Sequence, residues 1–336
     1  SGDAVAEIQE QLDRLPKNCD ALDLLIVSSG GDATVAWRIV SLIRERVSKF
    51  SVLVPQAAYS AATLIVLGAD EIVMHPNGNL GPTDPQITAV RPGGTGTEST
   101  RFGSEDLAAF VKYAKETVGL KSETEVAQIY RKFVDDVGSV AIGVAARSAQ
   151  LGISMGEKLL QLHMKEDGEQ KKAKTIAERL TKDFFHHGYP LNRTEAIEIG
   201  LKVADHDVGI EQLLWEIWKN LINDLELRTV FIPMGVVKAN DACAALFEPI
   251  PIASLPMNLP PELQQSVTDS LLGHAVIKPV PGTPYTTTHA LVESSRLASR
   301  FVSRGLIFAS RQIDLTYKLS NVVDFQGWET QDPTDS

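Results

Sequence analysis

The stretch QAAYSAATLIVLGADEIVMHP, Gln56 to Pro76, follows a strand-like SVLVP (Ser51–Pro55) and sets one hydroxyl, Ser60, among small residues at the head of an apolar run. A run that served only as core would gain nothing from a serine there, so Ser60 is either the cap of a helix or a nucleophile. Its neighbours decide how the stretch folds. ATVAWRIVSLIRERV (Ala33–Val47) spaces its apolar residues at helical intervals, FSVLVP is a strand, SAATLIVLGA a helix and EIVMHP a strand. AVAEIQEQLDRL (Ala4–Leu15) reads as an earlier helix, and ALDLLIVSSGGD (Ala21–Asp32) as a strand ending in a glycine turn. Alternation of this kind predicts parallel strands joined by crossover helices, with ligand sites at the carboxyl ends of the strands. Two turns, SSGGD (Ser28–Asp32) and AAYSAA (Ala57–Ala62), fall at those ends.

Composition limits what such a site can do. With 336 residues the chain buries an ample core in one large domain or two, and its 22% charged and 43% hydrophobic residues are ordinary for a globular protein. A formal net charge of −11, with no Lys/Arg run interleaved with aromatics, argues against a nucleic-acid partner. The two cysteines, Cys19 and Cys243, have no metal-binding spacing, which points to a reducing, cytoplasmic compartment with no metal and no cofactor. No window of about 18 apolar residues spans a membrane. The opening Ser1-Gly2 leaves room for a targeting or anchoring segment upstream, and with it for membrane association.

Farther along, VRPGGTGTEST (Val90–Thr100) reads as a mobile surface loop, followed by long helices over 104–120 and 122–162. HHGYPLNRTEAIEIGLKV (His186–Val203) reads as loop, helix and terminal strand. Past about residue 205 the composition changes: GIEQLLWEIWKNLINDLEL (Gly209–Leu227) is a strongly apolar helix, and prolines crowd Phe247–Leu263, denying it helix and ladder hydrogen bonds. The expected organisation is a hydrolase domain over 1–205 and a helical, proline-rich region over 206–336, used for oligomer or partner contacts.

A nucleophilic serine needs small neighbours, a base within reach and N–H donors for the oxyanion. Ala61 and Ala62 leave space beside Ser60, the Ala61 N–H opens a helix, and Gly30 and Gly31 let backbone approach from the adjacent strand end. Adjacent carboxylates Asp70 and Glu71 point apart on a strand entry and mark a helix-to-strand connection.

Taken together, LLIVSSGGDATVAWRIVSLIRE, AAYSAATLIVLGADEIVMHPNGNLGPTDPQI and HHGYPLNRTEAIEIGL resemble segments of the Clp protease/crotonase fold, an α/β architecture of repeated ββα/βα units. Within that superfamily, which includes signal peptide peptidase A, the likeness is to the serine dehydrogenase proteinase family of Clp-like serine proteases. It rests on Ser60 flanked by small residues, then ADEIVM and LGPTDPQ, and covers roughly residues 20–205. The resemblance implies a Ser60 nucleophile with Gly30, Gly31 and Ala61 around the oxyanion, a peptide or protein substrate, and homo-oligomeric assembly. Helix 209–227, with Trp215 and Trp218 about one turn apart, is a candidate contact.

The base is left open by the sequence. Clp protease carries a histidine about two dozen residues after its serine, where this chain has Thr83 and Asp84 and no histidine. Signal peptide peptidases use a desolvated lysine instead, for which Lys112 and Lys115 are the candidates by spacing. The third option is His187, or its neighbour His186, in the loop where Clp protease bears its aspartate; Asp84 would then orient that imidazole. The resulting expectation is a serine peptidase. Two alternatives stand beside it: a non-catalytic binding module on the same fold, and a crotonase-type acyl-thioester enzyme with the same oxyanion geometry and no serine nucleophile.

Overall fold

The computed structural model describes residues 2–93, 96–184, 186–249, 258–276, 280–312 and 314–331. The chain divides into two compact units, Ser1–Lys219 and Asn220–Ser336. The first begins with α1 (Ala4–Asp13), β1 (Ala21–Leu25), α2 (Ala33–Arg46), β2 (Lys49–Val54), β3 (Ala57–Ala58), α3 (Ala61–Leu67), β4 (Glu71–Met74) and β5 (Asn79–Leu80). It continues with β6 (Gln86–Gly93), β7 (Gly96–Gly103), α4 (Ser104–Glu116), α5 (Glu123–Val137), α6 (Ser139–Leu160), α7 (Asp167–Lys182) and α8 (Arg193–Glu198). Helix α9 (Val208–Asp224) runs from the first unit into the second.

Strands β1, β2 and β4 form the parallel sheet that the alternation predicts, with β2 in the centre. A bridge between Ile72 and Val203 sets the expected terminal strand beside β4. In β2, Phe50, Val52 and Val54 are fully buried, the period of two that puts one face in the core. Burial of each such side chain stabilises the fold by about 1.5–3 kcal/mol. Helix α2 starts on the Asp32 carboxylate, which accepts the Thr34 N–H at 2.7 Å, and buries Ala36, Ile39, Val40 and Ile43 against the sheet. Where α3 gives way to β4, Arg44 grips Asp70 at 2.7 and 3.0 Å and donates to the Gly68 carbonyl. The Asp70 carboxylate also accepts the Phe50 N–H at 2.8 Å, so it marks the helix-to-strand connection by fastening it. Burial works to raise its pKa; the bonds from Arg44 and the Phe50 N–H outweigh that and hold it below the ordinary value.

Across the carboxyl ends of these strands lies a smaller layer in which β3 pairs in parallel with β5, Ala58 opposite Leu80. Ser28 bridges Ala58 on one side and Leu191 bridges Leu80 on the other.

Two local readings change. The Val90–Thr100 run is built largely into the arms of an antiparallel hairpin, β6 with β7, rather than a loop; Gly94 and Thr95 lie outside the described residues. The single helix expected over 122–162 is two, α5 and α6, because Gly138 adopts φ 87°, ψ 137°, and in that conformation the α-helix cannot continue.

The second unit holds α10 (Pro233–Ala239), a 3-10 turn (Asp241–Phe247), α11 (Pro261–Val276), β8 (Thr283–Ser294), β9 (Leu297–Arg311) and β10 (Tyr317–Gln331). The helical reading of this region holds for α9, α10 and α11, but from Thr283 on it forms an antiparallel sheet, ordered β10-β9-β8. Val237, Cys243 and Leu246 pack with Ile307 and Ala309 into a separate small core. Of the proline-crowded stretch, residues 250–257 lie outside the described residues.

Candidate active site

Ser60 sits between β3 and α3, and its hydroxyl caps nothing: no side-chain capping bond is made at this helix start. Its backbone, φ 55° and ψ −118°, occupies a region that non-glycine residues avoid, at a cost of about 1–3 kcal/mol. The helix-cap reading therefore fails. Strand β3 turns sharply at Ser60 so that α3 can begin at once, and the turn is held from two sides. The Tyr59 N–H donates to the Ser28 carbonyl at 3.0 Å, while the Tyr59 and Ser60 carbonyls accept from Ala62 and Leu64.

Glycine is required at position 30. Gly30 has φ 104°, and a Cβ there would lie 2.6 Å from the Tyr59 oxygen and 2.7 Å from Ser60 Cβ. Its N–H is already engaged, donating to Ser28 Oγ at 3.1 Å. Among the described residues no partner takes the N–H of Gly31 or of Ala61. Of the three residues expected around an oxyanion, two thus have amides open to a ligand.

Asp84 and His187, far apart in sequence, meet: Asp84 Oδ1 lies 2.8 Å from His187 Nδ1. Both are mostly shielded, at 14% and 28% side-chain exposure. The second carboxylate oxygen of Asp84 accepts Gln86 Nε2–H at 2.8 Å. A carboxylate accepts, so this contact calls for a proton on Nδ1, and in the neutral ring that puts the lone pair on Nε2. His186 is turned back on its own loop, its Nδ1 accepting the Gly188 N–H at 3.0 Å. Lys112 and Lys115 lie exposed on α4, in no hydrogen bond or ion pair among the described residues.

Strand register explains the gathering. Ser28, Ala58 and Leu80 are neighbours in parallel, and Leu191 runs antiparallel to Leu80 with hydrogen bonds of 2.9 Å in both directions. Going forward from Ser28 to Gly31, from Ala58 to Ser60 and from Leu80 to Asp84, or backward from Leu191 to His187, leads off the same end of this layer. Close by, the Thr83 N–H donates to the Leu180 carbonyl, and Thr83 and Thr181 share a buried hydroxyl contact of 3.0 Å. The end of α7 is thereby tied to the segment that carries Asp84.

Three residues of this arrangement escaped the sequence reading: Ser28, Gln86 and Thr63. Thr63, fully buried in the first turn of α3, has its hydroxyl 2.7 Å from the Ala58 carbonyl and 2.8 Å from the Gly81 carbonyl, and accepts the Gly81 N–H at 3.2 Å. A hydroxyl inside the apolar AATLIVL run was its signal. Among the described residues no group of three or more His, Cys, Asp or Glu side chains is disposed to hold a metal, and no helix is long and apolar enough to cross a membrane.

A strained serine at a strand-to-helix turn, two open amides beside the turn and an Asp–His pair thus leave the β3/β5 layer at one end. Residues 5–96 match the family of ClpP-like SDH-type serine proteinases. That segment contains Gly30, Gly31, Ser60, Ala61 and Asp84, and the match agrees with the resemblance carried by ADEIVM and LGPTDPQ. Two relatives come from Methanocaldococcus jannaschii: the uncharacterized protein MJ0137 is 27% identical over 70% of this chain and 71% of its own length. The uncharacterized protein MJ1495 is 29% identical over 54% of this chain and 51% of its own length. Among solved structures, a serine-to-alanine mutant of the 1510-N membrane-bound stomatin-specific protease is similar at 15% identity and a TM-score of 0.37, covering 64% of this chain and 78% of its own. A lysine-to-alanine mutant of the same protease, in complex with a substrate peptide, is 17% identical with a TM-score of 0.36, covering 62% and 72%.

Proposed function

We propose that the chain is a serine peptidase whose catalytic triad is Ser60, His187 and Asp84, with Gly31 and Ala61 donating to the oxyanion. Its main support is the 2.8 Å Asp84–His187 pair, which leaves layer β3/β5 at the same end as a serine whose backbone is strained and whose hydroxyl caps nothing. Ser60 Oγ attacks the scissile carbonyl carbon and its proton passes to His187 Nε2. The carbonyl oxygen becomes an oxyanion facing the Gly31 and Ala61 amides. When the tetrahedral adduct collapses, the peptide C–N bond breaks and His187 returns the proton to the departing amine, leaving an acyl-enzyme. Water, deprotonated by the same imidazole, releases the acid and restores Ser60. Asp84 holds the ring in the Nδ1–H tautomer and stabilises the imidazolium. The order of base and orienter along the chain is the reverse of that in Clp protease.

A fluorophosphonate probe tests the reading. Labelling should map to Ser60 and vanish in Ser60→Ala. In His187→Ala, labelling and peptide hydrolysis should fall by several powers of ten, because triad members act as a unit, while Lys112→Ala should remain within a few-fold of the parent. An active His187→Ala beside an inactive Lys112→Ala would assign the chain to a Ser/Lys mechanism. The absence of any Ser60 label would favour a binding module or an acyl-thioester enzyme.

A further inference from the structure

Among the described residues no strand pairs with the outer edge of β10. The strand is an edge of the second unit's sheet, 15 residues long, and the ten residues from Tyr317 to Gln326 are all exposed. Among them are Tyr317, Leu319, Val322, Val323 and Phe325, each between 37% and 51% exposed. A long apolar edge offering one row of unpaired backbone groups is what folded proteins normally shorten, break with proline or cover. The opposite edge has such a guard, since Pro284 sits at the start of β8. Strand β10 has no proline, and its pairing with β9 is regular from Tyr317 to Val323, interrupted only by a bulge between Val323 and Phe325.

Charge along the strand points to what covers this edge. From Tyr317 to Trp328 the only charged residues are Lys318 and Asp324, of opposite sign, each three positions from Asn321. We infer that β10 pairs antiparallel with β10 of a second copy of this chain about a two-fold axis at Asn321. In that register Asn321 faces Asn321 of the second copy, Leu319 faces Val323 twice, and Lys318 faces Asp324 twice. A two-fold contact must be self-complementary, and this placement makes both ion pairs and both apolar pairs at once. Shifting the centre by one full pleat pair takes Lys318 off Asp324 and leaves both charges unmatched. The bulge falls at Asp324 and ends the paired segment there. This inference is independent of the peptidase reading, because it concerns only the second unit's sheet.

Cysteine cross-linking of the full chain reads out the register. With Cys19→Ser to remove the half-buried native thiol, Asn321→Cys should yield a disulfide-linked dimer under mild oxidation. Directly opposed antiparallel residues have Cα atoms about 4.5–5.5 Å apart, within disulfide reach. Val323→Cys should not link to itself, since the two copies of that position would be four residues out of register. Light scattering should give a dimer for the parent and a shift toward monomer for Lys318→Glu. Lys318→Asp combined with Asp324→Lys should restore the dimer, an outcome that a simple loss of folding could not produce. A monomeric parent at tens of micromolar, with no cross-link in the Asn321→Cys variant, would overturn the inference, whether a foreign partner or another segment of the chain covers the edge. Linkage at Val323→Cys but not at Asn321→Cys would overturn it equally.

Discussion

Ser60 occupies a conformation that favours glycine, and this separates its contribution to stability from its contribution to chemistry. Ser60→Gly should remove the backbone penalty and raise the unfolding free energy by up to about 1–3 kcal/mol in urea titrations, while abolishing probe labelling. Ser60→Ala keeps the penalty and should leave stability near that of the parent. Thr63 acts at one remove: its hydroxyl joins the strand that ends in Ser60 to the strand that leads to Asp84. In the proposed mechanism it is a positioning residue. Thr63→Val keeps the shape but leaves the Gly81 carbonyl without its buried donor, costing about 1–3 kcal/mol, while the Gly81 N–H keeps its 3.1 Å bond to the Ala58 carbonyl. It should lower kcat at least tenfold with little change in KM, and Thr63→Ser should restore most of the loss. Equal damage from Val and Ser would mean that methyl packing, not the hydroxyl, sets the turn.

Among the elements, the seam joining α2, α3 and β4 should respond to acid. His163 follows α6 and its Nε2 lies 3.1 Å from the Leu67 carbonyl at the end of α3. Desolvation lowers its pKa below the ordinary histidine value, against the smaller opposing effects of the Leu67 carbonyl and the Asp70 carboxylate. The unfolded chain then takes up a proton first as pH falls through about 6.5, so stability drops from there toward the folded pKa. His75 is also lowered, chiefly by burial, and adds the same sign. Asp70, held below its ordinary value, acts in a separate window: its contribution is complete above about 3.9 and fades as pH falls through its folded pKa. Urea midpoints measured from pH 7 to pH 5 should decline in the parent and decline less in His163→Gln. Equal slopes would show that the ring is free to charge in the folded state.

At the scale of the molecule, two hydrophobic cores serve two units. Gly305 in β9 has no room for a side chain: a Cβ there would stand 2.0 Å from the Val322 carbonyl oxygen on β10. Gly305→Ala should therefore disrupt the C-terminal sheet, seen as lost β-sheet signal and faster proteolysis past residue 280, while Ser60 keeps its reactivity toward the probe. Loss of both together would show that the units fold as one. The expected oligomer contact at Trp215 and Trp218 is already used within the chain. Trp218 is buried, and Trp215 stacks on His75 with ring centroids 5.1 Å apart.

The sequence by itself determined the parallel β1, β2 and β4 with their crossover helices, because apolar periods of two and 3.6 are local and each strand meets the next through a short connection. It also marked Ser60 as a candidate nucleophile, through its small neighbours, and left Lys112, Lys115, His186 and His187 as candidates for a base. It could not choose among them, since that choice depends on which loops the β3/β5 layer gathers at one end. Asp84 and His187 are 103 positions apart and meet through the Leu80–Leu191 bridge. His186, next to His187 in sequence, is exposed and turns instead to its own loop, accepting the Gly188 N–H. The Ser28–Gly30 bond, by contrast, is local, joining residues two positions apart, and it leaves the Gly31 amide open. The C-terminal sheet was illegible for a related reason. Serines, threonines and charges blur the alternation in β8 and β10, and their strand character comes from pairing with β9 rather than from burial of one face.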